Sequence, residues 1–379
     1  MSWLFGKKEK STVVVVDIRS SSISAGYVLL EKGKLPHLVD TVQYPVDPHA
    51  TEPLEEAMPR TLEAVLSALI TSGASKLRAL QVSAKSDHVL VTVSSPWQNS
   101  HIMSVQTEQE KPFLFTQHVL ENMTENANKV PPGRTVVSQL VLSTFLNGYE
   151  TLNPFGREAK TVEAITLTTD LDEAVYEKIR QTVRSAFHHS HIDVYAFLPE
   201  LYAVLRDILP AQKDYLICDV GSDASDIILV KHGLLVASAV NHAGMRSILD
   251  AVHQSGLSAH TIPTEEHAVL DSERNTSFQG ATERAKDSWI AEIKTTLSDI
   301  AKEEPLPRLL CIVSEPTVSE FVRRLLDAPL LRGLWLSDEA LPMLTISPSQ
   351  FSSAVSLESG VVPPLPLVIL AISSQKRYL

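Results

Sequence analysis

Two stretches of this chain carry the same hydropathy pattern, roughly 200 residues apart. In the first, Thr12–Val16 is an apolar run that ends at Asp17; the polar turn Arg19–Ser22 follows, and then the apolar run from Ile23. In the second, Tyr215–Cys218 ends at Asp219, Gly221–Ala224 makes the turn, and Ser225–Val230 is apolar again. Short apolar runs bounded by small polar residues read as buried strands joined by tight turns. Each pattern extends into a third strand, PHLVDTVQYPV in the first copy and LLVASAVN in the second, with turns at Lys32-Gly33-Lys34 and Lys231–Gly233. The chain is thus expected to hold one α/β unit used twice.

The intervening segments fill in that plan. Apolar spacings of three and four predict helices over residues 54–73, 171–188, 199–209, 246–254, 286–302 and 318–329. Strands are expected at Arg78–Ser83, His88–Val93, residues 192–198, residues 308–313 and residues 342–347, with a final buried strand at Leu367–Ile372. Residues 94–165 differ in character and read as strand, helix and two strands, with a loop at Asn153–Arg157. The expected organisation is a tail at 1–10, a first lobe from 11–87 with 168–212, an inserted module at 88–167, and a second lobe at 213–379. Within that second lobe, 250–300 is expected to form a smaller variable subdomain.

Composition narrows the class without naming a function. The chain has 379 residues, enough for two cores, with 44% hydrophobic and 21% charged residues, as in an ordinary globular protein. A net charge of −12 argues against nucleic-acid binding. Both cysteines, Cys218 and Cys311, sit inside apolar runs and read as core thiols of a reducing compartment. No stretch approaches a membrane span or a secretory signal. Trp3, Leu4 and Phe5 before Lys7, Lys8 and Lys10 give at most a marginal membrane contact and read more simply as a frayed tail.

Candidate chemistry lies at the two repeated turns. Backbone N–H groups and hydroxyls at a strand–turn–strand tip can hold a phosphate, and a nearby Asp can hold a water on a metal ion. The same residues also suit plain turn capping. His188, His189 and His191 lack partners at ligand spacing beyond Asp193 and read as helix-end residues. No nucleophile elbow is present.

The doubled meander with two turn motifs resembles the actin-like ATPase superfamily, a two-lobed, duplicated ribonuclease H-like fold. The residues 94–165, with Asn147–Glu150, the loop Asn153-Pro154-Phe155-Gly156 and VEAITLTT, resemble the inserted α+β module of FtsA and PilM. HIDVYAFLPELYAVL resembles their lobe-connecting segment, and the opening LFGKK with D-I-x-S-S-S-I resembles a PilM-type beginning. This resemblance implies a cleft for ATP and Mg2+ lined by Asp17, Arg19, Ser20, Ser21, Ser22, Asp219, Gly221, Ser222, Ser225, Gly244 and Ser314, with Asp17 and Asp219 toward the metal. It also implies a cytoplasmic scaffold at the inner face of the membrane that assembles a type IV pilus or secretion machine. Its partner would be the cytoplasmic peptide of a membrane protein, with self-association a further expectation and membrane contact indirect. The FtsA-like alternative is a cell-division role, disfavoured by C-terminal residues too short for an amphipathic anchor helix.

Four departures from the family pattern matter. Arg19 stands where the family has glycine, and Asp223 puts a negative charge beside the second turn. Ser314-Glu315-Pro316 replaces the glycine pair on the adenine side. Leu198 precedes Pro199 where filament-forming relatives carry a catalytic carboxylate, with Glu200 out of place for that role. Together they imply weak or absent hydrolysis, and they count against the third reading, an ATP-dependent sugar or small-molecule kinase.

Overall fold

A computed structural model describes residues 10–48, 52–83, 85–127, 130–188, 190–209, 211–254, 279–335, 339 and 341–379. Residues 1–9 of the expected tail and 255–278 of the expected variable subdomain 250–300 lie outside the described residues.

The two repeated patterns form two equivalent sheets. In the first, β1 (Lys10–Ile18), β2 (Ser22–Glu31) and β3 (His37–Pro45) make an antiparallel meander. The chain then forms α1 (Leu54–Ala79) and returns as β4 (His88–Val93), parallel to β1. In the second sheet, β10 (Tyr215–Val220), β11 (Ser225–Lys231) and β12 (Leu234–Asn241) repeat the meander, and β13 (Leu310–Ser314) lies parallel to β10. Val13–Val16 are fully buried because helices or core cover both faces of their sheet, which is why the run is continuous rather than alternating.

Four sequence expectations need correction. The strand expected at Arg78–Ser83 is the end of α1 and a turn. The helix runs past Gly73, where the missing side chain leaves room for the Tyr27 ring, which an added Cβ would approach to 2.5 Å. The final strand expected at Leu367–Ile372 is a helix, α9 (Leu365–Tyr378). Prolines fit the first turn of a helix, and an apolar run on every side marks a buried helix as readily as a strand. His88–Val93 does not begin the inserted module: as β4 it lies between β1 and β9 (His191–Ala196) in the first sheet. The end of the chain also leaves the second lobe, since β15 (Ser356–Leu357) pairs with β3 and α9 packs on β1 and β2.

The inserted module is a four-stranded antiparallel sheet. It comprises β5 (Gln98–Leu114), β6 (Arg134–Leu146), β7 (Tyr149–Glu150) and β8 (Glu158–Asp172), in the order β5-β8-β6-β7, with α2 (Gln117–Ala127) beside it. Its own small core gathers Val105, Phe115, Leu120, Val162 and Ala164. From β8 the chain enters α3 (Glu173–Ala186), capped by the Asp172 carboxylate on the N–H groups of Ala174 and Val175.

One core joins the lobes. Val13 and Val15 of the first sheet, Ile217 and Cys311 of the second, and Phe197, Leu201 and Leu205 of α4 (Phe197–Ile208) pack in one cluster with α9. The ends of β1 and β10, with their Asp residues, are thereby set facing each other.

Candidate functional site

The two turns meet across the interlobe cleft, and Arg19 lies between them. Its Nε donates to Asp17 Oδ2 at 2.9 Å, and its Nη1 donates to Asp219 Oδ1 and Oδ2 at 2.8 and 3.0 Å. The guanidinium carbon sits 4.4 Å from the centre of the Phe197 ring, a cation–π distance. All three charged side chains are buried: Arg19 is 8% exposed, Asp17 1% and Asp219 2%. The chain thus places its own cation where the two strand-end carboxylates converge. The guanidinium fork suits this, since it offers several donors in one plane.

Burial works against charge on Arg19, but Asp219 and then Asp17 more than compensate and hold its pKa above the ordinary value. Burial also raises the Asp17 carboxyl; Arg19 and the hydroxyl of Thr92, which donates to Asp17 Oδ1 at 2.7 Å, oppose that rise.

Further polar bonds tie the lobes around this centre. Ser21 and Ser22 both donate to Glu315 Oε1, at 3.2 and 3.0 Å, and Gln43 donates to Ser22. The Ser20 hydroxyl accepts from the Asp223 backbone N–H at 3.3 Å. Asp226 of β11 accepts from Ser95 through its backbone N–H and its hydroxyl, and from Gln98. Buried and bonded in this way, Asp226 has its pKa pushed up by burial to about 6.

The expected site residues do not all belong to the cleft. Asp17, Arg19, Ser20, Ser21, Ser22 and Asp219 are brought together there. Ser225 is turned into its own lobe, donating to Ala243 O at 2.7 Å. Gly244 is a packing glycine: a Cβ there would lie 2.0 Å from Ser222 O. Gly221 bounds the small cavity between the turns, with Ala224 O only 2.7 Å from where a Cβ would stand. Ser222 serves through its backbone carbonyl, which accepts from Arg246 N at 2.8 Å. Ser314 lines a cavity that Asp17, Arg19 and Ser22 also line. Asp223 does not point a bare charge at the second turn, because Arg246 holds it with Nε and Nη2 at 2.6 and 3.0 Å. Glu200 is paired with Arg377 of α9.

Thr92, Ser95, Gln98, Phe197 and Asp226 were not expected here. Asp226 carried a faint signal, a lone carboxylate inside the apolar run of β11. Ser95 and Gln98 carried none, since they reach Asp226 only through the tertiary fold.

The space left between the turns is small. The cavity bounded by Arg19, Ser20, Ser94, Ser95, Asp219, Gly221, Ala224 and Asp226 has a volume of about 10 Å3, the size of one water. Arg19 occupies the position between the Asp17 and Asp219 carboxylates, and Asp17, Arg19 and Ser22 also line a larger cavity of about 490 Å3 with Glu315. No group of metal-ligating side chains is found among the described residues. No helix among them is long and apolar enough to cross a membrane.

Comparison with known proteins places the architecture. No protein-family model and no curated protein matches the sequence. Among solved structures, a chain of a PilM–PilN type IV pilus biogenesis complex is similar at 15% identity and a TM-score of 0.64, covering 98% of this chain and 99% of that one. A Bacteroides thetaiotaomicron protein of unknown function, described as having an actin-like ATPase fold, aligns at 10% identity and a TM-score of 0.42 over 98% and 99% of the two chains. EutJ, an ethanolamine utilization protein of Carboxydothermus hydrogenoformans, aligns at 12% identity and 0.38 over 96% and 89%. The chain therefore has the two-lobed actin-like ATPase fold, with PilM-type similarity along its whole length.

Proposed function

We propose that this chain is a cytoplasmic actin-like scaffold that binds the cytoplasmic peptide of a membrane protein and helps assemble a type IV pilus or secretion machine. The observation that carries this reading is the full-length similarity to a chain of the PilM–PilN complex, inserted module included. In this reading Arg19 takes the place of the nucleotide's metal and phosphate, so the lobes are held together without ATP. Among the described residues the carboxylates at the cleft are Asp17, Asp219, Asp226 and Glu315, and each already accepts hydrogen bonds.

The inserted module offers a peptide a place to add. β6 pairs with β7 only at Phe145 and Leu146, so among the described residues the stretch before them has no strand on that side. Leu140 and Val141 on it are partly exposed, each 38%. An extended peptide can add to such an edge through main-chain hydrogen bonds. The docking groove on this reading runs between the module and the first lobe.

The test is a titration of synthetic peptides covering the cytoplasmic segments of membrane proteins encoded beside this gene, followed by fluorescence anisotropy. Saturable binding of one such peptide, weakened by Val141→Pro, supports the scaffold. Failure of every peptide to bind, together with a soluble distribution unchanged when the neighbouring membrane proteins are present, overturns it.

A further inference from the structure

Away from the cleft, three side chains form a relay at the edge of the first sheet. His37 opens β3, and Ser356 of β15 lies directly opposite it in the parallel pairing of the two strands. The Ser356 hydroxyl lies 2.9 Å from His37 Nδ1, and the Glu358 carboxylate lies 3.2 Å from His37 Nε2. A carboxylate only accepts hydrogen bonds, so Glu358 fixes the ring proton on Nε2 and leaves the Nδ1 lone pair for the Ser356 proton. The contact with His37 also holds the Glu358 carboxyl below its ordinary value. The rival acceptor for the hydroxyl, Pro36 O, is farther away at 3.4 Å.

A hydroxyl on a base, with the base oriented by a third group, is the arrangement that activates a serine for acyl transfer. Such constellations are recognised by geometry and not by order in the chain, and here the serine and histidine lie 319 positions apart. The pairing of β15 with β3 does not need these side chains, because Ser356 N already donates to Pro36 O and Glu358 N to Leu38 O. The N–H of Leu357, between those two, points away from β3 at the sheet edge and adjoins the serine as a donor for an oxyanion. The relay is also reachable. Ser356 and His37 line a cavity of about 470 Å3 with Leu29, Glu31, Lys34 and Leu35, and the two leucines offer apolar surface to an acyl chain.

We propose that Ser356, His37 and Glu358 form an esterase centre for small carboxylic esters with a short apolar acyl group. Ser356 Oγ bonds to the ester carbonyl carbon as its proton passes to His37 Nδ1. The bond from that carbon to the alcohol oxygen then breaks, and the alcohol leaves with the proton. Water adds to the acyl-serine by the same route through His37, releasing the carboxylic acid and restoring the Ser356 hydroxyl. Glu358 touches neither substrate nor water and acts as a positioning residue. This site is independent of the interlobe cleft and of the scaffold reading.

The test is hydrolysis of p-nitrophenyl butyrate by the full chain. Saturable turnover is expected, and Ser356→Ala and His37→Ala should each lower kcat/KM by about 100-fold or more. Glu358→Gln should lower kcat with KM unchanged, a split that a merely structural role would not produce. A fluorophosphonate probe applied to the wild type, followed by peptide mass spectrometry, should place the label on Ser356; this readout does not depend on any variant folding. The proposal is overturned if the wild type hydrolyses the ester no faster than Ser356→Ala, or if the probe leaves Ser356 unlabelled. An unchanged kcat in Glu358→Gln would likewise overturn the relay.

Discussion

Arg19 and Asp219 lie 200 positions apart in the chain, yet Nη1 of the one donates to both carboxylate oxygens of the other. The pair joins the two halves of a duplicated fold at the point where their strand ends converge. Removing one member of a buried ion pair leaves an uncompensated charge, at about 3–5 kcal/mol. Arg19→Met should therefore destabilise strongly, because Asp17 and Asp219 would face each other without a cation. The double variant Arg19→Met/Asp219→Asn should recover much of that loss. Chemical denaturation of the four species measures the coupling, and additive effects would show the pair to be energetically idle.

Glu315 is the second tie between the lobes. It is only half-buried, and Glu315→Ala removes two hydroxyl contacts. A loss of about 1 kcal/mol is expected by denaturant titration, well below that of Arg19→Met. A larger loss would move the main latch from Arg19 to Glu315.

The packing of α1 on the first sheet depends on a missing side chain. An added Cβ at Gly73 would come within 2.5 Å of the Tyr27 ring, which is itself 2% exposed. Gly73→Ala should cost about 1–3 kcal/mol despite its better helix propensity. A stabilised Gly73→Ala variant would mean that α1 does not lie this close to β2.

Stability should also vary with pH through Asp226. Burial raises its carboxyl pKa from 3.8 to about 6. A raised folded-state value favours the protonated form, so this contribution is fully present below about pH 4 and is lost as pH rises through about 6. Asp17, raised in the same direction, acts with the same sign. Thermal unfolding followed across this window should show Asp226→Asn with a flatter pH profile than the wild type. Identical slopes for the two proteins would remove Asp226 from the account.

Much of the fold could be read from the sequence because its signals are local. The runs ending at Asp17 and Asp219 gave two equivalent hairpins, and Gly33 does take the positive φ of 79° expected of its turn. The end of the chain misled because an apolar run after prolines suits a buried helix as well as a strand, and only contact with α4 and β1 decides between them. The module boundary misled because β4 belongs to its sheet through pairing with β1, a long-range relationship.

The site was legible as a departure and not as a geometry. Arg19 stood out by replacing glycine, but nothing local says that a turn arginine folds inward to reach a carboxylate of the other lobe. Asp223 read as a charge in the wrong place because its partner, Arg246, lies beyond the next two strands.

In the proposed reading Arg19 supplies the cation between the two turns and so excludes nucleotide. The most direct test of that reading is calorimetric titration of ATP with Mg2+ into the wild type and into Arg19→Gly. The account predicts no saturable binding to the wild type and a gain of binding in Arg19→Gly, which reopens the space between Asp17 and Asp219. Saturable binding to the wild type, abolished by Asp219→Ala, would contradict it.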